Sequence, residues 1–425
     1  MRLQWEFLDK LKIQKSLTGN RLPGILAESN YLSKKMPPLP DIAVICHVWA
    51  PYRLHVHRRI AREMPEVRLH TAYLLEKNDQ PWTNDKDPAT RPVIFGPGES
   101  VLAFRLYADI PFDFLKGGRV IRWLKDNNIR AVVMGGYSDA ARYRAILWCR
   151  QQGIPCFLTG DSNIRADIAT GLKRLIKRIV VRAAATRCDL VMPFGRRGHE
   201  YYRRYGVPDD RLSFFPYEPD YDMIGNLPQD RIEAARARFN LSPKRQKLVI
   251  CSRLVRIKRV DLAIAAFTAI AAQRPQWDMI VIGSGPLMDS LRASVPEPLR
   301  PRVVFTGFID QSTDIAAVMH NCQVLVHTAE RDAWGMVLNE AAAAGLAIVA
   351  SDDTGAAGDL VEDGVNGRLF SSGDLTSLSR CLLEVTDPSH FRPMGEASLR
   401  VLADYRRRAD PVANLRAALR RFNLI

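Results

Sequence analysis

The chain has no run of roughly 18 apolar residues, the length a membrane-crossing helix needs, so no such span is predicted. It has no C-x-x-C pair either. The seven cysteines (Cys46, Cys149, Cys156, Cys188, Cys251, Cys322 and Cys381) are odd in number and scattered, which argues against a zinc site and against a disulfide framework. Small buried thiols in a reducing cytoplasm are the expectation instead. The opening MRLQWEFLDKLKIQ lacks the apolar centre of a secretory signal. Short repeats are missing, as are recognition-helix, zinc-finger and RNP patterns, so nucleic acid is not an expected partner. Acidic residues are in deficit, 46 against 61 Lys and Arg, for a formal charge of +15. Such a surface attracts anionic lipid, nucleic acid or a phosphorylated substrate without choosing among them. The remaining composition, 47% hydrophobic and 25% charged, excludes disorder, collagen and a small disulfide scaffold.

A length of 425 residues predicts two or three domains. Short apolar runs alternate with turns and helical stretches. In the first half the runs are DIAVICHV (41–48), VRLHTAYL (67–74), IRAVVMGG (129–136), IPCFL (154–158), CDLVMPF (188–194) and LSFFP (212–216). In the second half they are KLVICSR (247–253), WDMIVIG (277–283), RVVFTG (302–307), CQVLVHT (322–328) and LAIVAS (346–351). Continuous β-branched runs separated by helices predict buried parallel strands, and two such series predict two doubly wound α/β domains. The boundary runs from about Pro216 to Pro243, the turn-rich PYEPDYDMIGNLPQDR followed by a short helix over EAARARFN. The predicted division is an extension over 1–40, a first domain over 41–222, a second over 223–404, and a last helix over 405–425 that packs back on the first. In the extension, Trp5, Leu8 and Leu11 share one face of a short helix, which reads either as solvated or as a membrane-surface contact.

The chemistry concentrates in TAERDAWGMVLNEAAAAGLAIVAS (328–351). A strand ends at His327, a loop holds Glu330, Asp332, Trp334 and Gly335, and a helix follows over MVLNEAAAA (336–344) with Glu340 about a turn and a half inside it. A loop feeding a helix at the carboxyl end of a parallel strand is where such sheets bind ligands. The free N–H groups and positive dipole end there suit a diphosphate. Asp332 and Glu340 are poor phosphate partners but good acceptors for sugar hydroxyls, so a ligand with both kinds of group is predicted. In SRLVRIKRVD (252–261), Arg253 and Lys258 lie five apart across a strand-to-helix turn. They either neutralise a diphosphate leaving group or are plain surface charge on a basic protein. Gly283 and Gly285 in IGSGPLMDSL make another strand-to-helix turn, with or without a ligand.

As a set these elements resemble glycosyltransferase family 4, the retaining enzymes of the GT-B fold. The family pattern runs G/S-R-L-x-x-x-K-x-x-D, then G-x-G-P, then E-x-(F/W)-G-x-x-x-x-E-A ending in a V-A-S strand. TGAAGDLVEDGVNGRLF (354–370) is similar to the family's later Gly-rich loop. The resemblance implies a GT-B fold with two Rossmann-like domains facing a central cleft. It implies that Arg253 and Lys258 hold the donor diphosphate, that Glu340 accepts from the nucleotide ribose, and that Asp332 stands where the family's first Glu meets the donor sugar. Backbone N–H groups of Ala333 through Met336 would meet phosphate or sugar, and Phe308 and Ile309 would lie beside the base. It further implies retention at the anomeric carbon, with a nucleotide-sugar substrate, no cofactor and no metal. The chain departs from the family in three places. Asp332 replaces Glu. WAPYRLHVH, with Tyr52, Arg53, His55 and His57, replaces a Gly-Gly loop. Asp161, in TGDS, replaces a His near the sugar. Asp161 reads either as a partner for the sugar or its developing positive charge, or as the N-cap of a helix over NIRADIATG.

TGLKRLIKRIVVRAAATR (170–187) places Leu172, Leu175, Ile176, Ile179, Val180 and Ala183 on one side and Lys173, Arg174, Lys177, Arg178 and Arg182 on the other. That pattern is either a surface helix with its apolar face on the core or a patch for anionic lipid beside a lipid-linked acceptor. Arg196, Arg197, Arg203 and Arg204 extend the basic region. The resemblance implies a cytoplasmic transferase moving a hexose-type sugar from a UDP- or GDP-sugar to a saccharide or lipid-linked acceptor, and the second reading of this helix adds peripheral contact with the inner membrane face. A basic scaffold with a lapsed donor site, or a GT-B-fold epimerase, is the competing reading.

Overall fold

A computed structural model describes residues 39–77, 82, 87–99 and 110–425. The apolar face of Trp5, Leu8 and Leu11 lies outside the described residues. The first sheet is wholly parallel, in the order β3-β2-β1-β4-β5-β6. Its strands are β1 (Asp41–Cys46), β2 (Arg68–Tyr73), β3 (Pro92–Ile94), β4 (Ile129–Gly135), β5 (Cys156–Gly160) and β6 (Leu190–Pro193). The second sheet repeats the plan as β12-β11-β10-β7-β8-β9. It consists of β7 (Gln246–Cys251), β8 (Trp277–Ile282), β9 (Val303–Gly307), β10 (Val324–His327), β11 (Ala347–Ser351) and β12 (Gly367–Phe370). In each sheet the strand order reverses beside the first strand of the series, between β1 and β4 and between β7 and β10. A crevice outside the carboxyl ends opens at such a point. These are two Rossmann-like halves.

The apolar runs become strands because both faces of each sheet are covered. Every residue of β1 and β11 is buried, and helix Val260–Ile270 is apolar on nearly all sides because it too sits inside. Two strands escape the pattern. β3 has three residues and opens on Pro92, and β12 contains Gly367 and Arg368. LSFFP (212–216) is not a strand. Only Leu212 forms a bridge, to Val191, and the segment then follows β6 by single hydrogen bonds from the Ser213 and Phe215 N–H groups to the Val191 (3.1 Å) and Pro193 (3.4 Å) carbonyls, its Phe215 carbonyl taken by the Thr159 hydroxyl at 2.8 Å.

Between the sheets run helices Tyr221–Gly225 and Gln229–Arg238. After β12, helix Pro388–Ala409 starts against the second sheet, with Phe391 edge-on to Trp277 at 5.3 Å. It ends on the first, where the Tyr405 hydroxyl donates to the Phe194 carbonyl at 2.9 Å. Asp410 then caps helix Pro411–Arg421 through the Ala413 N–H at 2.7 Å. That last helix packs on the first lobe through Arg416 to Glu66 (2.6 Å), and Phe422 behind it sits against Phe157 (ring centroids 5.5 Å). Trp334 adds to the junction between the lobes, its ring 5.8 Å from those of both Phe194 and Tyr405.

Candidate functional site

The strand-to-helix turns of the second sheet need close backbone approach before they can share a site. A Cβ on Gly283 would stand 1.9 Å from the Ser252 carbonyl oxygen, at a φ of +130° that other residues avoid. Glycine there lets the turn after β8 lie directly on the turn after β7, which carries Arg253 and Lys258. Gly335 has a φ of +89°, and a Cβ on it would meet the Thr354 methyl at 2.7 Å. It folds the loop after β10 back over the strand end. The result is a cavity of about 440 Å³ at the carboxyl ends of the second sheet, closed from the other side by the first lobe.

Arg253, Lys258, Asp332 and Glu340 line this cavity from the second lobe, and Asp161 lines it from the first. Gly283, Gly335, Met336, Phe308 and Ile309 also border it. Gly285 lies one step back, where a Cβ would meet the Leu254 carbonyl at 2.5 Å. The Trp334 ring turns away into the junction between the lobes, its indole N–H donating to Asn339 Oδ1 at 2.9 Å. The Ala333 carbonyl accepts from Asn163 Nδ2 at 2.7 Å, a hydrogen bond that ties the lobes together. Two details differ from the sequence reading. The helix after the loop spans Val337–Ala343, so Glu340 lies in its first turn and the helix is too short to supply much of a dipole. Asp161 caps no helix, since the next one begins at Gly171. Residues 161–170 form a loop in which Asn163 Oδ1 accepts from the N–H groups of Arg165 and Ala166, at 2.9 Å each.

The charges in the cavity are arranged against one another. Lys258 Nζ donates to Asp332 Oδ2 at 2.6 Å, and His327 Nε2 lies 3.0 Å from the same oxygen. Burial opposes ionisation of Asp332, but the His327 hydrogen bond and the Lys258 charge outweigh it and hold the carboxyl well below the usual range. The Thr328 hydroxyl fixes the Lys258 turn from below through the carbonyls of Lys258 (2.9 Å) and Arg259 (2.8 Å). Glu330 is engaged outside the cavity by Arg259. Glu340 has no hydrogen-bond partner for its carboxyl group among the described residues, and burial pushes it up to about 7. Asp161 faces the open crevice yet is walled in by both lobes. That enclosure raises its pKa, although Arg53 pulls it down, and Asp332 adds to the rise.

His327 and Asn163 are site residues to which the sequence reading gave no role, and Tyr52 was noted only as part of the loop that departs from the family pattern. Tyr52 meets Trp82 edge-on at 6.2 Å, and both border a second cavity of about 280 Å³ that adjoins the first at Glu340. His327 was visible only as the last residue of a strand, and nothing local says that its ring reaches Asp332. Arg53 and His57 lie deeper in the first lobe. Burial, followed by the Arg53 charge, lowers His57 to about 3, and burial raises the Cys46 thiol 3.9 Å away. That pair is a neutral, packed feature rather than a nucleophile and its base.

Two all-parallel Rossmann-like halves facing a polar cleft define the GT-B fold. A solved structure of HepE from Anabaena in complex with UDP and glucose superposes with a TM-score of 0.67 at 16% identity, over 91% of this chain and 100% of that one. Residues 231–392, the stretch that carries Arg253, Lys258, Asp332 and Glu340, match the family Glycosyl transferases group 1. Over 175 residues the chain is 30% identical to an exopolysaccharide phosphotransferase of Streptomyces coelicolor, covering 41% of this chain and 18% of that protein. Over 233 residues it is 25% identical to a GDP-mannose-dependent alpha-(1-6)-phosphatidylinositol monomannoside mannosyltransferase of Mycolicibacterium smegmatis, covering 52% and 59%. The chain thus matches 18% to 59% of the length of these curated relatives.

Proposed function

We propose that this protein is a retaining, metal-independent glycosyltransferase of family 4, moving a hexose-type sugar from a UDP- or GDP-sugar to a saccharide or lipid-linked acceptor. The observation that carries this reading is the convergence of Arg253, Lys258, Asp332 and Glu340 with Asp161 of the opposite lobe on one cavity. In the proposed reaction the bond between the anomeric carbon and the diphosphate oxygen breaks. The acceptor oxygen bonds to the same face of that carbon, and its proton passes to the departing phosphate. Arg253 and Lys258 neutralise the diphosphate as charge develops on it. Glu340 accepts from the ribose. Asp332, drawn back by Lys258 and His327, accepts from donor-sugar hydroxyls, and Asp161 stabilises positive character at the anomeric carbon. Phe308 and Ile309 flank the base. The Mycolicibacterium relative, named for a GDP-sugar donor and a phosphatidylinositol acceptor, supports both the donor class and the lipid-linked option.

Thermal shift with UDP, GDP and ADP is the first test, since a bound nucleotide raises the midpoint by mass action. Transfer assays on Arg253→Ala and Lys258→Ala form the second. Each variant is expected to lose about 100-fold or more in kcat, the cost of removing one charge-stabilising donor. EDTA is expected to leave the wild-type rate unchanged. Full turnover in both variants would remove the two cations from the chemistry. Binding of nucleotide without transfer to any glycan or glycolipid would favour a protein that keeps the donor site for binding only.

A further inference from the structure

Helix Gly171–Ala185 carries its apolar side outward. Val181, Ala184 and Ala185 are its buried residues. At 3.6 residues per turn the opposite side is Leu172, Leu175, Ile176 and Ile179. Leu172 is 72% exposed and Ile179 62%, with Leu175 and Ile176 more than half exposed. This overturns the expectation that the apolar stripe packs on the core. Lys173 borders the stripe on one side and Arg178 and Arg182 on the other, all exposed. The helix has no acidic residue, and the nearby Asp167 is already taken by Lys177 (2.8 Å) and the Tyr205 hydroxyl (2.7 Å).

The stripe is also placed with respect to the crevice. The loop that brings Asp161 into the cavity leads in ten residues to this helix and exposes Ile168 on the way. Helix Ile110–Asp126 covers the same face of the first sheet, where its Val120 and Leu124 share a core cluster with Val181 and Ala185. It starts at the same carboxyl edge and exposes Phe112 and Leu115 there. Large apolar side chains stand in water here between rows of cations, and it is the cations that would repel a second copy of the same basic face. Together the two suit a surface that offers hydrocarbon below a layer of negative charge. We propose that this face of the first lobe docks on an anionic lipid bilayer, which brings the mouth of the crevice to the level of the lipid headgroups. The docking surface stands on the exposed stripe and does not depend on the sugar-transfer reading.

The test is co-sedimentation of the full chain with vesicles of equal parts phosphatidylglycerol and phosphatidylcholine, against phosphatidylcholine alone, at low and high salt. Binding is expected only to the anionic vesicles and is expected to weaken with salt. Replacing the stripe with Leu172→Asp, Ile176→Asp and Ile179→Asp is expected to lower the bound fraction at least about tenfold. Reversing its borders with Lys173→Glu, Arg178→Glu and Arg182→Glu is expected to do the same. All six residues are on the surface, so unchanged melting curves and unchanged nucleotide-induced shifts separate lost docking from lost folding or a lost donor site. Wild-type protein that ignores anionic vesicles, or an Asp variant that binds them as well as wild type, would overturn the proposal. A lipid-free dimer that the Asp substitutions dissociate would reassign the face to a second copy. Hydrogen-exchange protection of 171–179 without lipid, unchanged by vesicles, would reassign it to residues 1–38 of the chain itself.

Discussion

Glu340 shows how much the setting of one side chain decides. Its carboxyl is raised from 4.5 to about 7 because the cavity removes water without supplying a hydrogen bond among the described residues. A carboxyl that holds its proton more tightly when folded contributes stability below the unfolded value of 4.5. That contribution fades as pH rises to about 7. Glu340→Gln is therefore expected to melt at the wild-type temperature near pH 4.5 and above it at pH 8, the difference reaching at most about 3 kcal/mol. The same variant is expected to weaken nucleotide binding at pH 8, where the wild-type group is ionised and, in the proposed reading, accepts from the ribose. Differential scanning fluorimetry across pH, with and without UDP or GDP, measures both. A pH-independent midpoint difference would show that the carboxyl is not destabilised in the folded protein. Asp332, one oxygen of which is shared by Lys258 and His327, is expected to behave oppositely. Its stability contribution is present at neutral pH and lost only in strong acid.

Among the elements, the turns decide the site, and glycines decide the turns. Gly283 and Gly153 both have positive φ, but only Gly283 has backbone within van der Waals distance of where a Cβ would lie. Gly153→Ala is expected to cost about 1 kcal/mol, the price of a left-handed residue in open space. Gly283→Ala has to move the Ser252 carbonyl as well, so it is expected to cost upwards of about 3 kcal/mol and to abolish nucleotide binding. Chemical denaturation of the two variants side by side tests the contrast. The glycines, the Arg253 to Lys258 spacing and the Asp332 to Glu340 spacing were all legible in the sequence, because each is local to one strand-to-helix turn. The core strands were legible for the same reason, as continuous apolar runs. What a local reading cannot supply is direction across the fold. The His327 ring reaching Asp332, Asn163 bonding the opposite lobe, and the outward turn of helix Gly171–Ala185 depend on neighbours distant in sequence. β3 and β12 were missed because neither forms a continuous apolar run, β3 being three residues that open on Pro92 and β12 opening on Gly367 and Arg368.

The molecule as a whole is held at a second place, away from the cavity. Arg59, on helix Pro51–Glu63 of the first lobe, donates to Glu63 and to Asp410, both at 2.9 Å, and also pairs with Glu218. Glu218 belongs to the link between the sheets, and Asp410 caps the helix that returns to the first lobe. One guanidinium thus gathers the outgoing and the returning crossing of the chain. Burial raises Glu218 to about 7 despite the Arg59 charge, and the neighbouring Asp410 adds to the rise. Removing the guanidinium takes away the cation that hydrogen-bonds this buried carboxyl and leaves it only the Arg406 charge, so Arg59→Ala is expected to cost about 3 kcal/mol at pH 8. At pH 5 the loss is expected to shrink, because Glu218 can then take a proton and stay in place. Glu218→Gln removes the charge and not the shape, and is expected to be neutral or stabilising at pH 8. It is expected to gain least near pH 4.5, where the wild-type carboxyl is already protonated when folded. Melting curves of both variants at pH 5 and pH 8 test the junction, and equal losses for Arg59→Ala at the two pH values would show that Glu218 is not the group it restrains. Because this junction joins the lobes without lining the cavity, Glu218→Gln is expected to bind nucleotide as wild type does. A changed affinity in that variant would mean that the crossing sets how far the lobes close on the donor.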